Sequence, residues 1–382
     1  MRLIGKIFIP IFIFLFTLSG LLFVWTKFRP VQEEGFSTIG HDWTVISEGN
    51  KDIYPGVSDL FYFNSGAIKR LKISNKFGLV SDNIYFVNKF GIRDDKDVVE
   101  TKKSHLLFSG CSFVFGASVN YEDTFPKILR ESLPNVNVRN LGFTGGGLHS
   151  SLRYMELVPL RDFVHEEKGI YAYVYITDHF SRWIRDLSYL RWAWAKTPTY
   201  GMVDGKIQYT GKLDEQFDYN KYHFFKKIGI ELPEIGPFSY TDKGTDYKKG
   251  EIFLEGIAEL KKNYLKMYPQ GRFIWLIHPM AGVNKMQEVL IEMAARKKGI
   301  EVMFANRDFK AHLKKNNLKS EDFILPWDRH PTGKLNAWFA SWIVENLKRP
   351  VERGDAVLDL KGGSRLPEAP MTKKQSIKNR KR

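Results

Sequence analysis

The chain has 382 residues, 43% of them hydrophobic and 14% aromatic. That allows one large domain or two ordinary ones with a sizeable core, and it excludes a wholly disordered chain. The net charge of +15 is uneven: from Lys361 onward eight basic residues face one acid, Glu368, which reads as a solvated basic tail suited to anionic lipid or an acidic polymer rather than to nucleic acid.

In chain order, the first element is Ile7 to Trp25, 19 residues without a charge. This is about the length a bilayer core requires. Arg2 and Lys6 precede it and Lys27 and Arg29 follow it, so the basic flanks are nearly balanced. We expect residues 1–26 to be a single-pass membrane anchor with the main domain outside the cytoplasm, periplasmic or at the cell surface. A cleavable signal is the alternative. Residues 27–103 mix short apolar pieces with turn signals such as Tyr54-Pro55-Gly56 and read as an irregular lead-in with a few strands, packed on the main domain.

The main domain is expected over 104–350. His105–Ser109, Val136–Leu141, Ile170–Ile176, Phe273–Ile277 and Ile300–Phe304 read as strands. Helical patterns cover Thr124–Leu133, Gly147–Leu160 and about 250–268, 283–297 and 332–348. This alternation predicts an α/β fold, a three-layer sandwich with a central parallel sheet flanked by helices. From about 195 to 250 the alternation breaks down into a stretch rich in Tyr, Lys, Gly and Asp, expected to be an insertion or lid. Residues 351–382 form the basic tail. Cys111 is the only cysteine, so no intramolecular disulfide exists, and a buried small side chain is expected there.

Four stretches carry chemistry. Leu106-Leu107-Phe108 runs into Ser109-Gly110-Cys111-Ser112, placing Ser112 on a bend after an apolar strand. Such a bend lifts one side chain out at the carboxyl edge of a sheet, where backbone N–H groups can surround a reacting oxygen. A serine hydroxyl needs a base to take its proton and a group to orient that base. His330 and Asp328, in Trp327-Asp328-Arg329-His330-Pro331, are the candidates. Each has a plainer role available: Ser112 as a helix N-cap, and Asp328 as the cap of the helix that Pro331 opens. The glycine run Asn140 to Gly147 follows a strand and lets N–H groups approach a bound oxygen. It lacks the Gly-Lys-Ser/Thr ending of a phosphate loop and the dinucleotide spacing. Tyr175-Ile176-Thr177-Asp178 ends the third strand, where ligands bind in open parallel sheets. Arg182-Trp183-Ile184-Arg185 and Arg191-Trp192-Ala193-Trp194 interleave bases with aromatics. His149, His179 and His278 show no metal-ligand spacing, and no metal is expected.

In their order, the four stretches resemble the SGNH hydrolase (GDSL-type esterase) family over about residues 85–348, apart from the 195–250 insertion. Gly110 to Gly116 looks like its first block, Asn140 to Gly145 its second, Tyr175 to Asp178 its third and Asp328 to Pro331 its last. Asn88-Lys89-Phe90-Gly91-Ile92-Arg93 looks like the lead-in of a membrane-anchored, envelope-associated branch. The resemblance implies an SGNH/flavodoxin-like fold and a serine esterase or O-acyltransferase without cofactor. Ser112 would be the nucleophile, His330 the base and Asp328 its orienting acid. The oxyanion would be met by the N–H groups of Ser112 and Gly145 and by Thr177. The expected substrate is an acylated envelope glycan or another ester. Two positions depart from the pattern. Cys111 stands for the first block's Asp, which is not a triad member. Thr177 stands for the third block's Asn, an oxyanion donor whose loss costs roughly 10²–10³ in rate. A non-catalytic glycan-binding or scaffold module on a degenerate SGNH fold, or a lipid esterase at the membrane surface, are the alternatives.

Overall fold

The computed structural model describes residues 43–49, 68–75, 78–88, 90–94, 102–229 and 243–347. The apolar stretch 7–25 and the basic tail lie outside the described residues. Among the described residues no helix is long and apolar enough to cross a membrane.

Three antiparallel strands come first: β1 (Trp43–Gly49), β2 (Ile68–Asn75) and β3 (Gly78–Phe86). Most of the described lead-in is therefore sheet, with one register shift between Ile73 and Ser74, followed by a turn closed by the Val87–Arg93 bridge. The side chains of Tyr85, Val87 and Ile92 enter the same core as the strands that follow, so this edge of the lead-in is continuous with the main domain.

The main sheet has five parallel strands, β4 (Ser104–Gly110), β5 (Val136–Gly142), β6 (Lys168–Tyr175), β9 (Gln270–Ile277) and β10 (Glu301–Phe304). Between β6 and β9 a separate hairpin, β7 (Pro198–Val203) and β8 (Lys206–Lys212), occupies the region where the alternation fails. The order across the main sheet is β10-β9-β6-β4-β5. Renumbered within the sheet this is the flavodoxin-like order, whose switch point falls between β4 and β6.

Ten helices complete the described chain: α1 (Ser112–Phe115), α2 (Phe125–Ser132), α3 (Leu148–Leu157), α4 (Asp178–Ile184), α5 (Leu187–Leu190), α6 (Phe217–Lys227), α7 (Lys243–Met267), α8 (Lys285–Lys297), α9 (Ala305–Lys315) and α10 (Gly333–Leu347). The 195–250 region thus holds a hairpin and α6, and α7 begins seven residues earlier than the periodicity places it. α9 was not anticipated; its run of Lys, Asn, Arg and His hides a short apolar face.

The two faces of the sheet are built by period-2 alternation. Along β6, Ile170, Ala172 and Val174 pack on one side with α2 and α10, among Leu129, Phe339 and Ile343. Tyr171, Tyr173 and Tyr175 pack on the other with α3 and α7, among Leu152, Ile257 and Tyr264. A strand buried on both faces reads as a near-continuous apolar run, which is why β4 and β6 are the plainest elements of the sequence.

Candidate active site

The carboxyl ends of three adjacent strands carry the candidate residues. β4 ends at Gly110, whose φ is 154°. A Cβ there would stand 2.7 Å from the Val174 carbonyl oxygen and 2.8 Å from Val114 Cγ2, so only glycine allows β4 to turn this closely past β6 into α1. Cys111 occupies the cap position, extended at φ −103°, and Ser112 is the first residue of α1. Ser112 is therefore not the helix cap. Its carbonyl accepts from the N–H groups of Gly116 and Ala117, both at 2.9 Å, which closes the short helix. Cys111 is buried, and burial pushes its thiol pKa up, so it stays a protonated, inert neighbour.

β5 ends in the glycine bend. Phe143 donates its N–H to the Gly110 carbonyl at 3.2 Å, and Gly146 donates to the Phe143 carbonyl at 2.9 Å. Gly145 has a φ of 71°, the left-handed region. The place a Cβ would take there is 3.5 Å from the Trp194 indole and 3.6 Å from that of Trp192. Arg182, on α4, donates to the Gly146 carbonyl. Its guanidinium lies 3.5 Å from Asp178 and 5.2 Å from the centre of the Trp192 ring. Arg182, Trp192 and Trp194 of the strip therefore line the glycine bend, while Trp183 packs on Tyr200 and Phe253 and Arg185 donates to Gln216.

β6 leads to Thr177, which opens α4. Its N–H donates to the Ala281 carbonyl at 2.9 Å, and a Cβ on Gly282 would stand 3.0 Å from its hydroxyl oxygen. Thr177 is thus tied to the turn after β9.

Asp328 and His330 lie in a tight loop before α10. Leu325 donates to the His330 carbonyl at 2.8 Å and Arg329 to the Leu325 carbonyl at 2.9 Å, with Arg329 at φ 60°. Asp328 does not cap the helix; α10 starts at Gly333, and the Thr332 hydroxyl accepts from the Leu335 N–H at 3.3 Å. The His330 ring sits 5.5 Å, centre to centre, from Phe113, the residue after Ser112. This brings the loop to the carboxyl end of β4. His330 Nδ1 is 3.0 Å from Asp328 Oδ2, close but off the line of a linear N–H···O hydrogen bond. Asp328 Oδ1 accepts from the His330 backbone N–H at 3.1 Å, and Oδ2 accepts from the Ser118 hydroxyl. Burial raises the Asp328 pKa, but the His330 ring, the Ser118 hydroxyl and the His330 N–H outweigh it and hold the carboxyl below its ordinary value.

His105, His149, His179 and His278 are core groups. Burial lowers His149 and His278 to about 3, and His179 well below its ordinary value. Among the described residues no group of three or more His, Cys, Asp or Glu side chains is placed to hold a metal. Ser118, which buttresses these loops, went unnoticed in the sequence, while Arg93 and Arg182 stood out only as members of the Asn88–Arg93 stretch and of the strip of bases and aromatics.

No protein-family model matches the chain, and no curated protein matches it. Among solved structures it is similar to a member of the lipolytic protein G-D-S-L family from Veillonella parvula DSM 2008, at 12% identity and a TM-score of 0.36, covering 65% of this chain and 100% of that one. It is also similar to a catalytic mutant of an acetylxylan esterase from Geobacillus stearothermophilus, at 15% identity and a TM-score of 0.33, covering 65% and 96%. An acetyl xylan esterase from the rumen bacterium Butyrivibrio proteoclasticus matches at 10% identity and a TM-score of 0.33, covering 72% and 67%. The similarity to SGNH esterases is thus structural and at low identity; likenesses this distant decide neither activity nor substrate.

Proposed function

We propose that this chain is a serine esterase or O-acyltransferase that acts on ester-linked acyl groups of a glycan. The observation that carries the reading is the meeting of two segments more than two hundred residues apart: Ser112 at the carboxyl end of β4, beside the switch point, and the His330 ring packed on its neighbour Phe113, with Asp328 Oδ2 3.0 Å from His330 Nδ1. His330 Nδ1 faces Asp328, so Nε2 is the nitrogen left to take the Ser112 proton. Ser112 Oγ attacks the ester carbonyl carbon, and the carbonyl oxygen becomes an oxyanion. The N–H groups of Ser112 and Gly145 and the Thr177 hydroxyl are its proposed donors. Collapse breaks the ester bond, and the departing alkoxide takes the proton from His330. Water, or an acceptor hydroxyl, then gives its proton to His330 and attacks the acyl carbon; collapse breaks the bond to Ser112 Oγ, which takes the proton back from His330. Hydrolysis and transfer differ only in that acceptor.

The glycan assignment rests on the indoles. An ester whose oxygen accepts from the Gly145 N–H lies against Trp192, which is 49% exposed, and Trp194. Such large apolar faces suit the C–H face of a sugar ring. The expected location is a membrane surface, through the uncharged stretch 7–25. Ser112→Ala should abolish turnover, on the order of 10⁶-fold by analogy with other serine enzymes. A folded Ser112→Ala protein that still hydrolyses p-nitrophenyl acetate at the wild-type rate excludes the mechanism.

A lipid esterase at the membrane surface is the second reading. It is favoured by α8, where Met286, Val289, Leu290 and Met293 are all exposed at helical spacing, a face that suits a bilayer interface. Turnover of acetyl against long-chain acyl esters in vesicles separates the two. A strong preference for long chains displaces the glycan assignment.

A further inference from the structure

Ser118 is not part of any stretch that drew attention in the sequence, yet it touches the candidate acid. Its hydroxyl donates to Asp328 Oδ2, the same oxygen that stands 3.0 Å from His330 Nδ1. The residue is buried and held in the left-handed region at φ 66°. That conformation is uncommon for a residue with a side chain and persists only where its surroundings enforce it. Here they do. The Ser118 N–H donates to the Tyr85 hydroxyl at 2.6 Å, and the Ser118 carbonyl accepts from Asn83 Nδ2 at 3.1 Å. Asn83 and Tyr85 are two apart on β3, on one face of the strand. The turn is clamped on both sides by buried Arg93, which donates to the carbonyls of Gly116 and, at 2.8 Å, Val119. At its other end the turn starts from the carbonyl of Ser112, through Gly116 and Ala117.

One turn of the chain therefore joins the candidate nucleophile to the candidate acid. We propose that Ser118 is a positioning residue: it fixes the Asp328 carboxylate, and through it the His330 ring, at the distance from Ser112 that proton transfer requires, with β3 as the wall that holds it there. The lead-in strand then belongs to the site's support. This inference rests on the serine-enzyme reading, because Ser118 acts only through Asp328 and His330.

The deletion variant is Ser118→Gly, which removes the hydroxyl and suits a φ of 66° without strain. Ser118→Asn is the conservative partner, since Asn tolerates this conformation and its amide can donate. A β-branched threonine keeps the hydroxyl but resists this backbone conformation. The readouts are the rate at which a fluorophosphonate labels Ser112, and kcat and KM for p-nitrophenyl acetate. Ser118→Gly is expected to slow labelling and kcat on the order of 10-fold, the range of one hydrogen bond to a charged group, with KM little changed. Ser118→Asn should recover most of that loss. In an Asp328→Asn background, Ser118→Gly should add nothing further, because the two act as one unit. Wild-type rates in a folded Ser118→Gly protein overturn the inference alone, and so does an equal loss with and without the Asp328 carboxylate. A wild-type chain that neither labels nor turns over removes the serine-enzyme reading and this inference with it.

Discussion

At Asp328 two physical effects oppose each other. Burial favours the neutral acid, while the His330 ring, the Ser118 hydroxyl and the His330 N–H favour the carboxylate, and the carboxylate wins. A group held ionised in this way lends its stability at neutral pH and loses it only as pH falls through the depressed value. Asp328→Asn keeps the shape and removes the charge that would steady a protonated His330. The expected result is a loss in kcat on the order of 10⁴, by analogy with the same exchange in other triads, with a modest loss of stability at neutral pH that fades as pH falls; p-nitrophenyl acetate turnover beside thermal unfolding checks it. Wild-type kcat would remove Asp328 from the reaction. Ser112, His330 and Asp328 could be singled out from the sequence because each sits in a local pattern, an apolar run ending in glycine or an acid two before a histidine. Ser118 could not. Its partner is 210 residues away, and nothing local distinguishes it from any surface serine after a glycine.

Arg93 acts at the scale of elements. It is fully buried, and burial lowers its pKa to about 10, so it remains a cation in the interior. Its guanidinium donates to carbonyls of Phe115 and Gly116 at the end of α1, of Val119, and of Ile84 on β3 at 3.5 Å. It also lies 4.4 Å from the centre of the Tyr85 ring. A planar fork can meet this set of oxygens and a ring face together; an ammonium cannot. Arg93→Lys keeps the charge and leaves buried carbonyls unpaired, each worth about 1–3 kcal/mol. The predicted loss of roughly 3 kcal/mol in urea unfolding should come with slower fluorophosphonate labelling, because α1 carries Ser112. A loss under about 1 kcal/mol would mean the carbonyls find other partners. The main strands were legible as apolar runs because they are buried on both faces. The arrangement of β3 against α1 was not, since short mixed strands carry little periodicity and the contact is made by Arg93 and by the Tyr85 and Phe115 rings, 5.5 Å apart, which no local pattern announces.

Across the whole molecule, the α3–α7 face of the sheet is unusual in composition. Tyr171, Tyr173, Tyr175, Tyr264 and Tyr268 fill it with aromatic rings, and histidines are set among them and at the strand ends. Two of the histidines are hydrogen-bonded to these rings: His105 with the Tyr264 hydroxyl at 2.7 Å, His179 with that of Tyr173 at 2.8 Å. Burial lowers His105 to about 4 and His149 and His278 to about 3, against 6.5 when unfolded. Below pH 6.5 the unfolded chain therefore takes up protons that the fold refuses, and stability falls with pH until the folded values are reached. Each histidine contributes up to about 1.4 kcal/mol per pH unit. His179, which burial also holds well below its ordinary value, makes a fourth, and the four together give a slope of roughly 5 kcal/mol per unit near pH 5, a large share of a total that is typically 5–15 kcal/mol. Urea midpoints should thus be flat from pH 8 to 7 and drop steeply from 6.5 to 5. His278 lies 5.0 Å from the Phe113 and the Phe339 rings, so a phenyl ring suits the space at the loss of the hydrogen bond accepted from the Met280 N–H at 3.1 Å, and His278→Phe should remove about a quarter of the slope. A midpoint that stays level down to pH 5 would show that these histidines reach water and charge in the native state. An unchanged slope in His278→Phe would assign the acid sensitivity to other groups.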